Sequence, residues 1–77
     1  MTLKQMNYFL SVANTGNMTK SAEQLFVTQP TLSLSVRELE KEVGTPLFQK
    51  KGNRLYLTEA GDALRDQCAQ ILQQYQL

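Results

Sequence analysis

Apolar positions recur at helical spacing in four stretches of the chain, and a fifth stretch between them is apolar at its two ends, Leu47, Phe48, Leu55 and Leu57, with a basic tip. Leu3, Met6, Phe9, Leu10 and Ala13 place one apolar face on a first helix. Thr2 and Gln5 have the spacing of a capping box, in which hydroxyl and amide each satisfy a free backbone donor. Gly16 and Asn17 end that helix, and Asn14 and Thr15 already weaken it. A shorter helix runs from about Thr19 to Phe26 with Ala22, Leu25 and Phe26 inward. Only Val27 and Thr28 separate it from the next periodic stretch, so the two helices must pack at a steep angle. The third helix spans roughly Gln29 to Val43, where Thr28 caps it. Pro30 falls in its first turn, where a missing N–H costs nothing, and Gly44 with Pro46 closes it. Residues 47–57, LFQKKGNRLYL, predict two short strands around a turn at Gly52-Asn53. Thr58 then caps a fourth helix that runs to the terminus, with Glu59 and Asp62 near its positive end.

This order predicts a mainly α fold: three helices plus a two-stranded wing over residues 1–57, a winged helix-turn-helix, followed by a long helix over residues 58–77. Stepping about 100° per residue along the third helix puts Val36, Leu39 and Val43 within about 40° of Leu32, which defines a buried stripe. Pro30, Leu34, Arg37 and Lys41 lie within about 40° of the opposite pole, with Gln29 and Ser33 on the flank near the helix start. Glu38, Glu40 and Glu42 project sideways, which leaves the centre line of this exposed ridge without an acid. A small, partly apolar ridge with a basic far end suits a DNA major groove, whose base edges offer hydrogen-bonding groups and the thymine methyl. Gln29 can bond an adenine edge, Ser33 can reach several bases, and Leu34 and Pro30 can touch thymine methyls. Arg37, one turn further along, fits a phosphate better than a guanine. The plainer readings stay open at this point: a stray surface leucine at Leu34, and ordinary first-turn polarity at Gln29 and Ser33.

Seventy-seven residues allow one small domain, which buries only about 60% of its unfolded surface. The chain is 42% hydrophobic and 19% charged, as in ordinary globular proteins. With no histidine and a single cysteine, Cys68, it has no intrachain disulfide framework and no zinc site of the usual kind. Neither a membrane span nor a signal peptide can be read in it, so the expectation is an intracellular, cytoplasmic domain needing no cofactor. The carboxylates form no evident pair for acid–base work, which argues against an enzyme. Residues 1–57 carry seven basic against four acidic residues, a net +3, whereas residues 58–77 carry three acids against Arg65, a net −2. A basic body with a mildly acidic tail fits nucleic-acid contact by the body alone.

Lys50, Lys51 and Arg54 flank the hairpin turn without a nearby acid, which suits a wing on phosphates or in a minor groove. Protection of a strand edge would explain the same charges, and both can hold together. In the fourth helix Gly61, Leu64, Cys68, Ile71 and Tyr75 are spaced 3, 4, 3, 4, with Leu72 beside them. Such a seam needs cover, either from the first helix of the same chain or from the same helix of a second copy, where Gly61 would permit close approach. A second copy is favoured. Cys68 reads as a small buried apolar residue.

The chain resembles the N-terminal DNA-binding domain of LysR-type transcriptional regulators along essentially its whole length. The motifs are MTKSAEQLFVTQPTLSLSVRELE, VGTPLFQK and LTEAG, highly specific in this order and at these distances. The resemblance implies a homodimer joined through the long helix and bound to an interrupted, roughly palindromic operator on double-stranded DNA. It also implies a C-terminal domain that senses a small-molecule effector, absent from these 77 residues, in a bacterial regulator. By the family's pattern Thr28, Gln29, Pro30, Thr31 and Ser33 start the recognition helix and contact DNA, and Lys50 and Arg54 belong to the basic wing. Lys20, in the helix before, lies within the first motif and joins these candidates. Three departures matter. Leu34 stands where members often carry arginine, glutamine or lysine, Glu38 stands where they often carry a second basic residue, and Lys50 replaces a more usual arginine and its planar fork. A winged-helix module that uses the same ridge against a protein is the alternative.

Overall fold

A computed structural model describes residues 1–75. The element order is α1 (Leu3–Thr15), α2 (Met18–Leu25), α3 (Gln29–Val43), β1 (Phe48–Lys51), β2 (Arg54–Leu57) and α4 (Glu59–Tyr75). The winged helix-turn-helix followed by a long helix is therefore as expected, and the last two residues of the predicted 58–77 helix lie outside the described residues. Local chemistry sets the boundaries. The Thr2 and Gln5 capping box forms, with the Gln5 N–H donating to the Thr2 hydroxyl at 3.1 Å and the Thr2 N–H to Gln5 Oε1 at 2.9 Å. Asn17 caps α2 by accepting from the Lys20 N–H, and Thr28 caps α3 by accepting from the Thr31 N–H, with Pro30 in the first turn.

Two apolar clusters make up the core. Met6, Phe9, Leu39, Leu47, Leu64 and Cys68 form one, joining α1, α3 and α4. Tyr8, Val12, Ala22, Leu32 and Val36 form the other, joining α1, α2 and α3. Phe48 of the wing packs against both, its ring 5.4 Å from that of Phe9. β1 and β2 pair antiparallel from Phe48↔Leu57 to Lys51↔Arg54.

Three expectations need correcting. Phe26 does not face inward: it is 94% exposed, because α2 stops at Leu25 and residue 26 turns left-handed at φ 58°, which swings its side chain out of the helical progression. Val27 takes its place against the core. Val43 extends the α3 stripe on paper but is 41% exposed, since the chain beyond Gly44 brings Leu47 into the core instead.

The third correction concerns the seam of α4. Gly61, Leu64 and Cys68 are buried inside their own chain, not held for a second one. A Cβ on Gly61 would stand 2.2 Å from the Leu47 carbonyl oxygen and 3.0 Å from Leu57 Cδ2, so its close approach is to the start of the wing. Leu72 also leans on this core, whereas Ile71 and Tyr75 are exposed. Burial pushes the Cys68 thiol pKa up, as expected of an inert apolar residue.

Candidate nucleic-acid interface

The ridge of α3 is exposed as its sequence predicts: Gln29, Pro30, Thr31, Leu34, Arg37 and Lys41 face outward, with Ser33 half-buried. Its first turn is internally braced. The Thr28 hydroxyl donates to Thr31 Oγ1 at 2.7 Å, and Gln29 Nε2 donates to Ser33 Oγ at 2.8 Å. The second N–H of Gln29 and its Oε1 remain for a partner, the donor and acceptor that match adenine N7 and N6. Leu34 is half exposed and borders a cleft against α1 lined by Thr2, Lys4, Gln5 and Tyr8. It is thus seated beside α1, on the side of the ridge away from the wing.

On the other side of α3 the wing closes a second cleft, lined in part by Ser33, Arg37, Glu40 and Lys50. Strand alternation explains why Lys50 is there. Phe48 and Lys50 share a face with their partners Leu57 and Leu55, and Leu55 packs against the core. Lys51 and Arg54 pair across the hairpin on the opposite face, with Tyr56: the Lys51 ammonium is 5.9 Å and the Arg54 guanidinium 5.7 Å from its ring centre. Lys50 also lines the cleft between the wing and the start of α2, alongside Gly16–Thr19 and Arg54. Lys20 is exposed one turn into α2.

The fold therefore gathers Ser33, Arg37 and Lys50 around one cleft, with the Gln29 amide bonded to Ser33, while Leu34 and Lys51 stand on other faces. Arg54 turns back to the body, where its Nη1 donates to the Thr15 carbonyl at 3.3 Å. Glu40 is a structural residue that its sideways position on the helical wheel did not reveal. Its carboxylate accepts the Leu47 N–H at 2.7 Å and so fixes where the wing begins. The only hint in the sequence is an acid within reach of the helix-ending glycine and the backbone N–H groups beyond it.

The model of the bacterial regulatory helix-turn-helix proteins of the lysR family matches residues 3–62, the capped helices, the ridge and the wing together. The chain belongs to this lysR family. Among its LysR relatives, the HTH-type transcriptional activator CmpR of Synechocystis sp. is 49% identical over 65 residues, 84% of this chain and 21% of that protein. The RuBisCO operon transcriptional regulator of Acidithiobacillus ferrooxidans is 45% identical over 71 residues, 92% of this chain and 23% of that protein. This LysR chain thus spans about a fifth of the length of such relatives, which are named as regulators of transcription. Solved structures agree. The CbnR DBD–DNA complex matches with a TM-score of 0.92 and 33% identity, over 97% of this chain and 86% of that one. The BenM DBD with catB site 1 DNA matches with a TM-score of 0.94 and 28% identity, over 99% and 82%. The fold is that of a LysR-type winged-helix DNA-binding domain.

No helix among the described residues is long and apolar enough to cross a membrane.

Proposed function

We propose that this domain reads a specific double-stranded DNA sequence as a homodimer, each α3 lying in a major groove on one side of an interrupted palindrome. Gln29 and Ser33 bond base edges, and Pro30 and Leu34 meet thymine methyls. Lys20, Thr28, Thr31 and Arg37 hold phosphates, and Lys50 and Lys51 extend that contact along the backbone or into the minor groove. The second copy joins through the outer part of α4, at Ile71, Leu72 and Tyr75, because Gly61, Leu64 and Cys68 are already used within one chain. A further C-terminal domain binds the small-molecule effector, and the whole regulator works in the bacterial cytoplasm, on the nucleoid when bound to DNA. The observation that carries the reading is the cleft where Ser33 and Arg37 of the exposed ridge face Lys50 of the wing.

Selection from a pool of random duplexes tests it, with affinity for the winner followed against salt. A two-fold symmetric winner is expected. With about 6 to 10 phosphates in contact, affinity falls roughly 10³- to 10⁵-fold between 50 and 200 mM salt. Absence of any enriched sequence, from folded protein tethered as a pair through its C-termini, would refute DNA reading and turn attention to a protein partner.

A further inference from the structure

Arg54 stands in the basic wing, yet its side chain is already engaged. We propose that Arg54 is a positioning residue that latches the wing to the corner between α1 and α2, leaving the wing's phosphate contacts to Lys50 and Lys51. The functional half of this inference rests on the DNA-binding reading above; the latch itself does not.

Five observations converge. Thr15 is the last residue of α1, so its carbonyl has no partner within the helix and carries part of the helix's negative end. The Arg54 guanidinium meets that carbonyl at 3.3 Å. Its side chain then lies across Gly16: a Cβ there would stand 2.8 Å from Arg54 Cζ and 2.9 Å from both Cγ and Nε. The next residue of the wing repeats the grip, since the Leu55 N–H donates to the Gly16 carbonyl at 2.9 Å. From the strand side, the Tyr56 ring faces the guanidinium at 5.7 Å, a cation–π distance.

The corner itself is tied into the helix-turn-helix. The Thr15 hydroxyl donates to the Asn17 carbonyl at 3.0 Å and lies 2.6 Å from the buried Ser21 hydroxyl, which also accepts from Ser11. Two consecutive wing residues therefore hold two consecutive corner residues, and the corner holds α2. The arrangement also relieves the hairpin, because Lys51 and Arg54 are directly opposite and like charges in that register repel.

Amide exchange and salt-dependent binding test the two halves separately. In the DNA-free chain, Arg54→Gln should speed exchange of the Leu55 amide by about two- to tenfold, the scale of one net hydrogen bond. Lys50→Gln should leave it unchanged, and Arg54→Lys, which keeps a donor without the planar group, should fall between. Gly16→Asn tolerates a left-handed backbone but puts a Cβ in the guanidinium's place. It should reproduce the Arg54→Gln effect, and the double variant should add little to either. An unchanged Leu55 rate in Arg54→Gln, or additive effects in the pair, would overturn the latch. On a selected duplex, Arg54→Gln should weaken binding about equally at every salt concentration, whereas Lys50→Gln should reduce the salt slope by about 0.9. A slope loss of that size for Arg54→Gln makes Arg54 a phosphate contact and sinks the proposal. Should no duplex bind the parent chain, the DNA reading fails while the exchange experiment still decides the latch.

Discussion

The helices α3 and α4 solve the same packing problem and diverge in what they leave outside. Each buries three residues along one stripe: Leu32, Val36 and Leu39 in α3, and Gly61, Leu64 and Cys68 in α4. The ridge of α3 opposite its stripe carries Gln29, Arg37 and Lys41 with Pro30 and Leu34, and its exposed acids Glu38 and Glu42 stand to the sides, whereas α4 exposes Glu59, Asp62 and Asp66. Burial looks alike in both, so the apolar periodicity locates the core and says nothing of the partner. The exposed chemistry separates a face suited to a polyanion from one that would repel it. The stripes also differ in tolerance. That of α3 is branched side chains that can yield, while that of α4 starts on a glycine against backbone.

Gly61→Ala should therefore cause the largest loss. Its Cβ would overlap the Leu47 carbonyl oxygen, backbone that cannot step aside, and thermal melting should show destabilisation of about 3 kcal/mol or more. A loss below about 1 kcal/mol would mean that α4 can shift along the wing, making the two helices less different than described. On α3, Gln29→Ala should leave melting almost unchanged while costing about 1–3 kcal/mol of discrimination at one base pair of the preferred duplex. Equal losses in melting and binding would instead make Gln29 a brace for Ser33.

A smaller and opposite effect is expected where α2 hands over to α3. Phe26 holds a left-handed backbone with its ring in solvent, and Asn tolerates that conformation better, so Phe26→Asn should stabilise by about 1 kcal/mol in a denaturant titration. Unchanged or lower stability would show that the ring makes a contact in solution. The smallest effect belongs to Cys68. Its folded-state pKa is raised by burial, so the stability it contributes is full below the ordinary thiol range near about 8.5 and is lost as pH rises toward the folded value. Melting temperatures compared between pH 7 and 10 should fall more steeply for the parent chain than for Cys68→Ala; parallel curves would contradict this.

Most helix boundaries could be read from the sequence because they are local. Thr2 with Gln5, Thr28 with Pro30, and Gly44 act within four residues, and each works in the structure as its spacing suggests. The ridge of α3 was readable for the same reason, as angular position along one helix fixes exposure. What the sequence did not disclose are contacts that reach across the chain. Arg54 and Thr15 are 39 residues apart, and Glu40 meets an amide beyond the end of its own helix. Phe26 failed differently: a wheel assumes the helix continues, and one left-handed residue is enough to void it. The α4 seam was correctly seen as apolar, but periodicity cannot tell cover from the same chain from cover by a copy.

The junction before α4 has a mechanical consequence. Only Thr58 lies between β2 and α4, and its hydroxyl donates to the Pro46 carbonyl while accepting the Gly61 N–H. The joint has no slack. α4 is a stiff rod of about 25 Å, and its near end is seated among Leu47, Leu64 and Cys68, in the same cluster as Leu39 of α3. A push at Tyr75 is not absorbed by a hinge; as at the short arm of a lever, a wide displacement there becomes a smaller and more forceful one on the side chains packed against Leu39 of α3.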